Sequence, residues 1–162
     1  MILEILEDGL FAAVASVGFA AISRPPKRAY LFCALLAAVG HSLRFILMSP
    51  DVAGIHIVVA TALASFIVGL LAVVFSPIAK VPAETCLYPS LLPMIPGIYA
   101  YKSFGGLAMC LFGNSQENYQ FYFYQFSFNG MMCVFILVGM VLGATLPIFM
   151  FKNISFQKKK AR

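Results

Sequence analysis

Val52-Ala-Gly-Ile-His56-Ile-Val-Val-Ala-Thr-Ala-Leu-Ala-Ser-Phe-Ile-Val-Gly-Leu-Leu-Ala-Val-Val-Phe-Ser-Pro-Ile-Ala79 is the stretch on which the reading of this chain turns. His56 is its only side chain able to carry a charge, and Asp51 and Lys80 bound it. A helix that crosses the hydrocarbon core needs about 20 apolar residues, so this run is long enough to span with tilt. The fold class expected from it is all-α, a polytopic integral membrane protein.

Outward from that run the composition agrees. Of 162 residues 62% are hydrophobic and 10% charged, against roughly 45–50% and about 25% in soluble domains. The fraction of surface buried on folding rises slowly with chain length, so a soluble protein of this size would expose large apolar patches. The net charge of +5 does not indicate nucleic acid, because the basic residues form two short clusters beside apolar runs, the pattern of membrane orientation. The length leaves room for four to six spans in one transmembrane domain, 1–162. A hydrolase, nucleotide-binding or sensor module would have to come from another chain.

Five spans are predicted, at about 2–22, 29–48, 54–76, 85–104 and 127–150, with a basic cytoplasmic tail at 152–162. Glu4, Glu7 and Asp8 open the first, where acids suit the helix dipole. They replace the basic start of a cleaved signal peptide, so the run is expected to be retained. The run ends at Arg24, Pro25, Pro26, Lys27 and Arg28, where the two prolines stop the helix. The second closes at Ser49-Pro50-Asp51 and the third at Lys80 and Pro82. The fourth contains Pro89, Pro93, Pro96 and Gly97 and should be a broken helix. A polar stretch, Asn114 to Asn118, and an aromatic cluster from Tyr119 to Phe126, typical of the water–lipid boundary, precede the fifth. With five spans Arg24, Lys27, Arg28, Lys80 and the tail share one face, which Lys/Arg bias makes cytoplasmic; the N-terminus is then outside. With four, the two basic clusters would oppose each other.

Three places could carry chemistry. His41 and Arg44, three residues apart, are neighbours on one helix face. Arg44 either snorkels to head groups or offers its guanidinium to a substrate carboxylate, with His41 hydrogen bonding or carrying a proton beside it. Pro89, Pro93 and Pro96 lie on one face of the fourth span and deprive the carbonyls of Thr85, Pro89 and Leu92 of their helical donors. Such groups are tolerated in a membrane only under cover of protein or water. The segment is either a kinked packing helix or a broken helix whose second half, restarting at Gly97, turns its amides toward an anion. Gly139 and Gly143 form a G-x-x-x-G pair for helix packing.

Cys33, Cys86, Cys110 and Cys133 are too dispersed for a zinc or redox motif and are read as packing residues. Asn153-Ile154-Ser155 fits a glycosylation sequon on the predicted cytoplasmic side. No nucleophile–base set, phosphate loop or metal-ligand spacing is present, so no enzyme activity, cofactor or metal is expected.

Cys33 to Arg44, followed by Phe-Ile-Leu-Met48, together with Leu92-Pro-Met-Ile-Pro-Gly-Ile-Tyr-Ala-Tyr101, resemble the two signature stretches of the threonine/serine exporter family, in its small-subunit (YjjB-type) branch. The likeness extends to Ala15-Ser-Val-Gly-Phe-Ala20 and the basic first loop. It implies a bacterial inner-membrane exporter of which this chain is one half, paired with a larger membrane subunit. It also implies threonine, serine or succinate as substrate, and all three carry a carboxylate. The aromatic run after the fourth span departs from the family pattern. The function expected is therefore a subunit of a two-component secondary exporter of small carboxylates or amino acids, driven by an ion gradient. The alternative is a non-transporting scaffold that stabilises a larger partner. A homo-oligomeric channel would need a continuous polar pore, and the spans hold few residues to line one.

Overall fold

The computed structural model describes residues 2–113 and 118–151. The predicted tail at 152–162 and the polar residues 114–117 lie outside them. The described residues are all-α, without strands: α1 (Ile2–Ser23), α2 (Ala29–Met48), α3 (Ile57–Ala79), α4 (Ala83–Leu91), a 3-10 turn (Leu92–Met94), α5 (Gly97–Phe112) and α6 (Tyr119–Met150). Four of these, α1, α2, α3 and α6, are long and apolar enough to cross a membrane. The predicted fourth span is divided into α4, the 3-10 turn and α5, so the break is real; α5, with 16 residues, falls short of a crossing on its own.

Helix ends differ from the predicted spans for local reasons. The His56 ring accepts a hydrogen bond from the Val58 N–H at 3.4 Å and caps α3, which therefore starts at Ile57. Its far end tolerates Pro77 and closes only at Lys80, left-handed at φ 55, whose N–H donates to the Ser76 carbonyl. In α6 the aromatic run is itself helical from Tyr119. Tyr119 stacks with Phe123 at 6.0 Å and Tyr124 with Phe128 at 5.6 Å, the spacing at which helix neighbours reinforce the helix.

The chain forms two compact units, Met1–Met94 with Gly139–Arg162, and Ile95–Val138. In the first, Pro25 and Pro26 end α1 and turn the chain into α2, and the two helices pack antiparallel. Lipid supplies no hydrophobic force between helices, so close approach of small residues and interhelical hydrogen bonds must hold them. Gly9, Ala12, Ser16 and Ala20 form the buried stripe of α1, and the Ser16 hydroxyl donates to the Cys33 carbonyl at 3.0 Å. At Gly9 a Cβ would come within 2.6 Å of Ser42 Oγ. On α3, Gly69 abuts the Ala144 carbonyl of α6, and Gly143 returns the contact onto the Ala62 carbonyl and Ser65.

α4 packs on α2 and α3. Pro89 within it can give no N–H to the Thr85 carbonyl, which instead receives the Cys33 thiol at 3.9 Å. In the second unit, Gly106 of α5 lies against the backbone of Tyr122 and Phe126, and the Ser103 hydroxyl donates to the Phe126 carbonyl at 2.9 Å.

Candidate functional site

Where α1 begins and α2 ends, three ionisable side chains meet the broken segment. Asp8, in the second turn of α1, lies 2.5 Å through Oδ2 from His41 Nδ1. One turn further along α2, Arg44 Nη2 lies 2.8 Å from His41 Nε2, and Arg44 Nη1 donates to the Met94 carbonyl at 2.9 Å. The Pro93 carbonyl is 3.3 Å from the same Nε2. The Ser42 hydroxyl, donating to the Ile5 carbonyl at 3.2 Å, fixes the register of α1 on α2 beside them.

The chemistry of the donors fixes the histidine tautomer. A guanidinium can only donate, so Nε2 must accept from Arg44, and the ring proton sits on Nδ1 and goes to the Asp8 carboxylate. In this state Nε2 and the Pro93 carbonyl face each other as two acceptors. Asp8 and Arg44 balance with His41 neutral, so the cluster carries no net charge. That lowers the cost of placing an Arg in a membrane helix.

The cluster lines a cavity of about 340 Å³. Asp8, His41, Arg44 and Ser49 supply its polar groups, and Phe45, Met48 and Ile57 its apolar wall. Arg44 spends two of its five N–H donors on Met94 and His41 among the described residues, which leaves others for a ligand in the cavity. A carboxylate and a guanidinium on one small apolar chamber can bind an anion, a cation or a molecule carrying both charges.

Of the residues singled out in the sequence, His41, Arg44 and Pro93 are brought together. Arg44 does not merely snorkel: it is tied to the broken segment. Pro96 and Gly97 belong to the second unit; Pro96 caps α5, and the Gly97 N–H donates to the Ile95 carbonyl at 2.8 Å, so that amide is already engaged. Gly139 and Gly143 of α6 lie against Val58, Ala62 and Ser65 of α3. Asp8 was missed as a site residue, being read only as a dipole-matching acid, and the Met94 carbonyl was not foreseen. Among the described residues no cluster of His, Cys, Asp and Glu forms that could hold a metal ion.

Residues 8–150 match the family model described as "Threonine/Serine exporter, ThrE". A Haemophilus influenzae protein described as uncharacterized is 32% identical over 158 residues, which cover 98% of this chain and 50% of that protein. The chain thus spans about half the length of that curated relative. No solved structure matches.

Proposed function

Because the chain belongs to the threonine/serine exporter family, a family of multi-pass membrane transporters rather than enzymes, we propose that it is one membrane half of a two-component secondary exporter. The observation that carries this reading is the Asp8–His41–Arg44 cluster on its cavity against the break at Pro93-Met94. Ionisable side chains inside membrane helices mark substrate and ion pathways, and broken helices beside such sites are a transporter device. A relative of twice the length supports a second half, here a separate, larger membrane subunit of the same family.

The charges favour one substrate class. An α-amino acid offers a carboxylate to Arg44 and an ammonium to Asp8, whereas one of succinate's two carboxylates would be turned toward Asp8. Amino acids such as threonine and serine are therefore the leading substrates and succinate the alternative. The same reading carries five crossings of the bacterial inner membrane, the fourth at about 85–104, with the N-terminus outside and the C-terminus cytoplasmic.

The test is efflux of labelled threonine, serine and succinate from proteoliposomes holding this chain alone or with its larger partner. Flux of the amino acids only from the pair is the expected result. Flux from the single chain would overturn the two-component arrangement. Assembly without flux of any of the three would favour a scaffold.

A further inference from the structure

The contacts of His41 point beyond substrate binding, and we infer that His41 is a proton-binding residue whose charge sets which ligands the cavity accepts. The inference rests on the exporter reading above. Neutral His41 uses both nitrogens: Nδ1–H to Asp8 at 2.5 Å and Nε2 as acceptor for Arg44 at 2.8 Å. A proton added at Nε2 changes one partner for another. The Nε2–H meets Arg44 as donor against donor and breaks that bond, while the Pro93 carbonyl, already 3.3 Å away, becomes its acceptor.

The charge of the chamber changes with it. With His41 neutral, Asp8 and Arg44 present one negative and one positive group, the pattern of a zwitterion. With His41 protonated, the imidazolium takes up the Asp8 charge, the sum becomes positive, and Arg44 loses its tie to the ring. An ammonium group is then repelled and a lone carboxylate is held more tightly. A proton arriving at this end of the helices thus discharges an amino acid, the sense required for export driven by proton entry.

The other ionisable groups nearby do not duplicate this role. Glu4, one turn before Asp8 on α1, is exposed; α3 contributes Ile57 to the chamber, and the exposed His56 caps its own helix. The 3-10 turn offers carbonyls only, and Glu84 lies in the first turn of α4, at the far end from Pro93. Arg44 is the one charged neighbour on the helix of His41 itself within a turn of it.

The experiment compares two ligands that differ only in the ammonium group, threonine and 3-hydroxybutyrate, binding to the full chain assembled with its larger partner in lipid nanodiscs. Measurements at about pH 8 and about pH 5.5 bracket the range in which imidazole changes charge. Acidification should weaken threonine roughly tenfold and strengthen 3-hydroxybutyrate by a similar factor, within the usual size of a coupling between two bound species. His41→Gln, whose amide can both donate to Asp8 and accept from Arg44, should abolish both trends with pH, whatever affinity it leaves at either. Asp8→Asn should weaken threonine and spare 3-hydroxybutyrate. Nitrogen NMR of labelled histidine in the unliganded chain should show the neutral ring protonated at Nδ1.

A ring protonated at Nε2 in the neutral state, or opposite trends that persist in His41→Gln, would overturn the inference while leaving the exporter reading intact. Absence of binding by either ligand at both pH values would overturn the two together.

Discussion

An arginine in the last two turns of a membrane helix costs about 2.5–3.5 kcal/mol if it sits at the bilayer centre without help, so Arg44 is understood through its neighbours. Met94, His41 and, electrostatically, Asp8 compensate it. Arg44→Gln keeps a donor for the Met94 carbonyl but leaves the Asp8 charge unbalanced. Efflux by the assembled pair should fall at least roughly tenfold, a loss of about 1.4 kcal/mol or more in transition-state stabilisation, at normal membrane levels of protein. Unchanged efflux would remove Arg44 from the site. Packing glycines behave differently. Gly143→Leu drives a side chain into the Ala62 carbonyl and Ser65 and should lower stability in detergent by about 1–3 kcal/mol, seen as an earlier thermal transition. The pairing of His41 with Arg44 was legible from their spacing alone. Asp8 was not, because its partner lies on another helix and becomes visible only with the hairpin register. In an antiparallel pair the numbers of facing residues have a constant sum, and Ser16 with Cys33 shares that sum with Asp8 and His41. The tight stop at Pro25-Pro26 contains enough information to try that register, but only once α1 and α2 are taken as neighbours.

At the scale of elements, the broken segment shows how backbone groups are accommodated where water is scarce. Each proline removes a donor, and the structure answers from α2: the Cys33 thiol reaches the Thr85 carbonyl, and Arg44 reaches the Met94 carbonyl. One helix thus serves both the proline in α4 and the break that follows it. The break itself was legible in the spacing of Pro89, Pro93 and Pro96. The identity of the covering groups was not, because thiols and guanidinium groups find carbonyls through tertiary packing. The helicity of the aromatic run was not legible either: interfacial composition says where a segment sits and not whether it is helical, and ring pairs four residues apart favour α6 from Tyr119 onward. Pro93→Ala restores an N–H for the Pro89 carbonyl and lets α4 continue through the 3-10 turn. The Pro93 and Met94 carbonyls that meet His41 and Arg44 are then drawn into the helix, and the expected outcome is a large loss of flux from the proposed pair with its assembly preserved. Assembly lost before flux would mark the break as a packing feature. Cys33→Ala leaves the Thr85 carbonyl without its thiol and should cost about 1 kcal/mol of stability or less, since a thiol is a weak donor, with efflux retained.

At the scale of the whole molecule, the basic residues bear on how the helices thread the bilayer. Arg24, Lys27 and Arg28 follow α1, and Lys80 follows α3. Two further helices separate these clusters, so they lie on one side whatever becomes of α4 and α5. On the proposed orientation the Lys/Arg bias assigns that side to the cytoplasm, and Asp51, Asp8 and the cavity then fall at the outer end of α1 and α2. That orientation matters for mechanism, because in an outward-facing cavity a proton from outside would reach His41 directly. A chain stripped of its four cysteines and carrying one new cysteine at Asp51 should react with a membrane-impermeant maleimide in intact cells. The same chain with its cysteine at Lys27 should react only after the membrane is opened. The reverse pattern would place the cavity on the cytoplasmic side, where neutral His41 and a substrate-loading role would replace proton-driven release.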